Sequence, residues 1–142
     1  MNKQKNILTA LRLVVGFVFI WAFLDKVFGL GFATTADKAW INGGSPTTGF
    51  LSFGVKGPLA EIFHSFAGVM MVDWLFMLGL LFVGLTLVLN RYVKWGCIVG
   101  SLMMFLMYLA LLLPENNPII DEHTIYILVL ALIATKNDAR VT

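Results

Sequence analysis

The sequence is short of cysteine and short of charge, and each shortage removes a class of protein. Its one cysteine, Cys97, has no partner for an internal disulfide, a C-x-x-C redox pair or a thiolate metal cage. Cysteine usage therefore says nothing about the redox compartment. Charged residues make up 13% of the 142 positions and hydrophobic residues 59%, with a mean hydropathy of +0.88. That is too little polar sequence to clothe a soluble domain, and too much apolar sequence for intrinsic disorder. The net charge of +2 is too small to point to nucleic acid, which is not expected as a partner. Walker A, H-E-x-x-H, G-x-S-x-G and dinucleotide fingerprints are missing, so ATP-driven or hydrolytic chemistry by this chain alone has no support. No metal, haem or flavin site is evident in the sequence either.

What the chain does have is long apolar runs. They are continuous rather than alternating, which excludes the dyad pattern of a membrane β-barrel. The reading is all-α: an integral membrane four-helix bundle in a single domain, 1–142. The spans fall near 7–32, 70–89, 95–113 and 119–134, with a loop at 33–69. The last span holds about 16 residues, roughly 24 Å of helix. It crosses only if its polar start at Asp121–His123 is embedded or interfacial. The first run is too long for a signal-peptide core and lacks a small-x-small cleavage site, so it is expected to stay as an anchor.

Lysine and arginine set the expected orientation. Lys3 and Lys5 precede the first span, Arg91 and Lys94 fill the turn after the second, and Lys136 and Arg140 follow the fourth. The turn Pro114-Glu115-Asn116-Asn117-Pro118 has no basic residue. Both termini and the Asn90–Lys94 turn are therefore expected on the cytoplasmic side of the cell membrane, with the 33–69 loop outside. Within that loop, Trp40-Ile41-Asn42-Gly43-Gly44-Ser45-Pro46-Thr47 is a turn signal. Leu59, Ile62, Phe63 and Phe66 would share one face of an amphipathic piece that lies on the outer membrane surface or prolongs the second span.

The chemistry-bearing candidates are ionisable residues inside these runs. A charge in hydrocarbon costs roughly 2.5–3.5 kcal/mol even on lenient scales, so each needs a partner or water. Asp25, Lys26, Asp73, Asp121, Glu122 and His123 sort to the outer leaflet. Asp25 shares a helical face with Trp21, Asp73 with Met77, Leu80 and Gly84, and His123 with Tyr126. Arg12 stands apart, about 20 Å along the helix from Asp25, with Gly16 on its face to admit a neighbouring helix or a ligand. Plainer roles stand beside these. Arg12 would snorkel to headgroups, Asp73 would favour a helix N-terminus and Asp121 and Glu122 would cap the fourth span in the same way, Asp25 and Lys26 would form a structural ion pair, and His123 would be a satisfied structural histidine. Gly96 and Gly100 form a G-x-x-x-G that permits close helix packing, including a homo-oligomer.

The order and spacing of several segments resemble the DoxX/DoxD membrane family. They are Leu11-Arg12-Leu13-Val14-Val15-Gly16 with Asp25-Lys26, the Trp40–Thr47 segment, Leu78-Gly79-Leu80-Leu81-Phe82-Val83-Gly84, and Asn117-Pro118 with Asp121-Glu122-His123 and Tyr126. In the DoxD branch the resemblance implies a subunit of thiosulfate:quinone oxidoreductase. That enzyme joins two thiosulfates as tetrathionate and passes electrons to quinone beside a DoxA subunit. A quinone needs an apolar slot and a few acid/base groups. On this reading Asp25, Lys26, Asp121 and His123 are catalytic, Lys26 holding an anion or semiquinone oxygen and the others relaying protons. Arg12, Trp21, Asp73 and Tyr126 are binding residues. The competing readings are a non-enzymatic scaffold of a membrane redox complex and, further off, a small transporter.

Overall fold

The computed structural model describes residues 2–138, and every regular element among them is helical. The long helices are α1 (Lys3–Phe28), α3 (Met70–Leu89), α4 (Val93–Ala110) and α5 (Glu122–Asp138), with a five-residue α2 (Ala60–His64) in the intervening loop. Arg140, counted among the orienting charges, lies outside the described residues.

Helix boundaries follow from local chemistry. Asn2 starts α1 by accepting the Gln4 N–H on its side chain at 3.1 Å. Gly29 stops it in the left-handed region, φ 63°, returning its N–H to the Asp25 carbonyl. The helix therefore begins before residue 7 and ends before residue 32, the limits expected for the first span. The second span coincides with α3. The fourth begins three residues later than expected, because Asn117 folds the Pro118–Ile120 segment back onto its own side chain, accepting the N–H groups of Ile119 and Ile120.

Three helices, α1, α3 and α4, are long and apolar enough to cross a membrane. Only 22% of the apolar window of α1 and 28% of that of α4 is buried inside the protein, against 44% for α3. That difference makes α3 the central helix, with α1 and α4 on its flanks and α5 against α4. Residues pair across α1 and α3 in opposite chain order (Gly16 at Val88, Ile20 at Gly84), and across α3 and α4 likewise (Gly79 at Met103, Val83 at Gly100). Both pairs are antiparallel. The core is Phe19 and Val15 of α1, Met77, Leu80, Val83 and Leu87 of α3, Cys97 and Met104 of α4, and Leu130 and Ile133 of α5. On the outside of α3, Met71, Leu75, Leu78, Phe82, Leu85 and Leu89 form an exposed apolar stripe, more than an aqueous surface carries.

The glycines of α4 are spent within the chain. Gly96 faces Thr86, and Gly100 faces Val83 and Leu130, so the face that would have carried a homo-oligomer through G-x-x-x-G is covered by α3 and α5. The segment read as one amphipathic helix is also divided. Phe63 packs inward with Leu51, Val55 and Ala110 in a small second core at the loop end, whereas Ile62 and Phe66 point out.

A tight contact joins α1 and α3. A Cβ on Gly84 would run into Ile20 and lie 3.3 Å from the Gly16 carbonyl oxygen. Gly84→Val is expected to cost about 1–3 kcal/mol through overpacking, read as a lower melting temperature in detergent. Gly49→Ala, with open space around its Cβ and ordinary helical dihedrals, should leave that temperature unchanged.

Candidate functional site

The ionisable residues do not gather in one pocket. Each is held by a different part of the chain.

Arg12 sits near the start of α1, 9% exposed. Its guanidinium donates to the Leu87 carbonyl and, at 3.4 Å, to that of Val88. These carbonyls belong to the last turn of α3, where helix geometry leaves acceptors without partners and concentrates negative partial charge. Gly16, one turn on, permits the approach. The arginine therefore closes a helix end rather than only reaching for headgroups. The hollow beside it, lined by Leu8, Thr9, Ile133, Lys136 and Asn137, measures about 20 Å³, room for a single water.

Asp25 is 2% exposed. Its two carboxylate oxygens accept the backbone N–H groups of Phe32 at 3.2 Å and Ala33 at 2.9 Å. The chain leaves α1 at Gly29, turns, and is tied back to the helix by this carboxylate. Among the described residues no ion pair joins Asp25 to Lys26. The Lys26 ammonium lies instead 6.0 Å above the centroid of the Phe76 ring of α3, within range of a cation–π attraction.

Asp73 stands in the first turn of α3, 8% exposed. Its Oδ1 accepts from the Ser45 hydroxyl at 2.8 Å and the Thr47 hydroxyl at 2.5 Å. Ser45 Oγ in turn accepts from the Thr48 hydroxyl at 2.7 Å, and Thr48 Oγ1 accepts the Gly68 N–H at 3.0 Å. A chain of hydrogen bonds thus runs from Gly68 through Thr48 and Ser45 to the carboxylate, each bond polarising the next. Beside it Trp40 meets Trp74 edge-on, centroids 4.7 Å apart.

Asp121 immediately precedes α5. Its Oδ1 accepts the N–H groups of His123 at 3.0 Å and Thr124 at 3.3 Å, the pattern of an N-cap. Its Oδ2 meets Nδ1 of His123 at 2.7 Å, which fixes the imidazole ring. His123 is 7% exposed. Glu122 is exposed in the first turn, where the helix dipole favours it. Tyr126 is half-buried against the main core. Among the described residues no hydrogen bond or ion pair links the Asp121–His123 pair to Asp25, Lys26 or Asp73.

One cavity does combine candidates. It has a volume of about 250 Å³ and is lined by Phe17, Val18, Trp21, Ala22, Asp25, Lys26, Phe32 and Ala33. Its floor is two i, i+4 rows of α1, Phe17–Trp21–Asp25 and Val18–Ala22–Lys26, and the returning loop closes its end. Trp21 stacks on Phe17 at 5.9 Å and meets Phe32 edge-on at 5.1 Å. The walls are almost wholly apolar, and Asp25 and Lys26 line the end nearest the returning loop. Of the eight residues singled out in the sequence, the cavity brings together Asp25, Lys26 and Trp21. It leaves Asp121, His123 and Tyr126 on α5, Asp73 behind its hydroxyl clasp, and Arg12 at the opposite end of α1.

The sequence offered no signal for Ser45 and Thr47 as partners of a carboxylate 26–28 positions on; in a Gly/Pro-rich stretch they read only as turn formers. Phe32 and Ala33 were likewise hidden, since they bond through backbone N–H groups. Lys56 and Glu115 pair at 2.5 Å across the loop end, and that ammonium holds the Glu115 carboxyl below its usual range. No family model, curated protein or solved structure matches the chain.

Thr47→Val removes one hydrogen bond to a largely buried carboxylate and should cost about 1.5–3 kcal/mol. In Arg12→Met two carbonyls of α3 lose a cationic donor at the negative end of the helix, for about 1–2 kcal/mol. The sites lie at opposite ends of the α1–α3 pair and share no partner, so the losses should add in the double variant, measured by denaturant unfolding in mixed micelles.

Proposed function

We propose that the chain is a membrane subunit of a quinone-linked redox system in the cell membrane, of the DoxD type. Its fourth crossing would be α5, with both termini on the cytoplasmic side. The observation that carries this reading is the α1 cavity: an apolar, aromatic-lined slot with Lys26 among its lining residues. Its volume is just under the about 300–1,000 Å³ of sites for drug-sized ligands, suited to a quinone ring whose isoprenoid tail stays in lipid. Lys26 supplies a cationic donor for a quinone oxygen, whose negative charge grows on reduction. Trp21 and Phe17 supply ring faces for stacking.

In the DoxD reading, two thiosulfates become one tetrathionate and release two electrons, and the quinone takes up those electrons with two protons to become quinol. The sulfur chemistry would run directly to quinone or through a cofactor on a DoxA-like partner. The bonds already made by Asp25 and Asp121 argue for positioning roles in both, with the proton supply left to water at the loop end. A second reading, a non-enzymatic scaffold of a redox complex, draws support from the same bonds, since Arg12, Asp25, Asp73 and Asp121 all serve the fold.

Titration of a short-chain quinone into reconstituted protein, followed by tryptophan quenching, separates the two. Lys26→Met should weaken binding about tenfold or more, the loss expected for a charge-assisted hydrogen bond of about 1.5–3 kcal/mol. Identical binding by wild type and Lys26→Met would remove the lysine from the site. Absence of binding by wild type, and of thiosulfate-dependent quinone reduction with a partner subunit supplied, would leave the scaffold.

A further inference from the structure

The loop between α1 and α3 carries an arrangement that the quinone reading does not use. Ile62 is 57% exposed, Phe66 43%, Val69 41%, Met70 74% and Met71 70%. Met70 and Met71 open α3 and begin the apolar stripe that continues down that helix. Phe66 and Val69 carry the same apolar character back into the loop, with Ile62 on α2 behind them. The exposed apolar surface of α3 therefore does not stop where the helix does.

Most N–H groups of residues 62–69 are bonded within the chain as well. Ile62 and Phe63 donate their N–H groups to the Leu59 carbonyl at 3.1 and 3.3 Å, and Ser65 donates to Glu61 at 3.2 Å. Phe66 donates to Phe63, Ala67 to His64 and Val69 to Phe66, at 3.1–3.2 Å. The N–H of Gly68, at φ 80°, is accepted by Thr48 Oγ1 at 3.0 Å. Such bonding suits a segment in hydrocarbon, where each unsatisfied N–H costs several kcal/mol.

We infer that residues 62–71 lie in the outer leaflet as a lipid-embedded extension of α3, with Ile62, Phe66 and Met70 in the acyl region. The occupant of this face is lipid. Continuity with the apolar stripe of α3 argues for it, and the bonded N–H groups of residues 62–69 fit it. On the other side of the loop, the exposed Lys56–Glu115 pair marks the water boundary. This inference requires only that α3 crosses a bilayer, and stands whether or not a quinone binds.

The test uses the full chain with Cys97 replaced by alanine, reconstituted in phosphatidylcholine vesicles. Nitroxide labels go singly on Ile62→Cys, Phe66→Cys and Met70→Cys, with Asn116→Cys as the aqueous reference. Oxygen collisions should be high and nickel-chelate collisions lost at 62, 66 and 70, with the reverse at 116. Three positions keep the test readable if one variant fails to insert. Nickel-chelate accessibility at 62 and 66 equal to that at 116 would place the segment in water and overturn the inference. Protection from both reagents would mean a protein partner or a second copy on this face, and would overturn it as well.

Discussion

In hydrocarbon, a peptide group without a partner is more expensive than almost any side-chain contact is favourable. The charges of this chain are arranged around that constraint. Arg12 takes carbonyls at the end of α3. Asp25 takes the first N–H groups of the returning loop. Asp121 takes those that open α5. Asp73 anchors the hydroxyl chain that reaches Gly68. In each case an ion that lipid would penalise meets a backbone end that lipid would penalise, and the two costs offset each other. Removal of either partner leaves the other exposed to the full penalty, as for any buried charged pair.

This arrangement explains why the cavity on α1 stands out. Among the described residues, Arg12, Asp25, Asp73 and Asp121 are hydrogen-bonded to the fold. Lys26 differs in kind: its neighbour Asp25 is engaged by Phe32 and Ala33, and its contact to Phe76 is a diffuse one that a ligand oxygen can complement without breaking a hydrogen bond. The division of labour between the adjacent residues follows from helix geometry. Side chains one position apart point about 100° away from each other, so Asp25 turns to the loop while Lys26 turns to α3 and the slot.

Much of the fold was legible in the sequence, and the site much less so. Continuous apolar runs marked α3 to the residue and α1 and α4 to within a few positions, because length and hydropathy decide those elements. The start of α5 was misplaced because Asn117 and Asp121, both short polar caps, outweigh the apolar Ile119-Ile120 between them. The partners of the charges were not readable. Backbone N–H and carbonyl groups carry no residue identity, so nothing in the letters reveals that Asp25 serves Phe32 and Ala33, or that Arg12 serves Leu87. The Gly96–Gly100 pair shows the same limit from another direction: the motif reports close packing without saying whether the neighbour is Thr86 of the same chain or another copy.

The bond from Arg12 to Leu87 spans 75 positions, and that separation bears on how the protein is made. A ribosome adding about 5–20 residues per second needs roughly 4–15 s to supply the acceptor after the donor has been synthesised. Through that interval α1 carries an arginine whose helix-end partner does not yet exist, along with a glycine surface shaped for a neighbour that has not arrived. The packing of α1 is therefore completed only when α3 arrives, and the two helices settle as a pair.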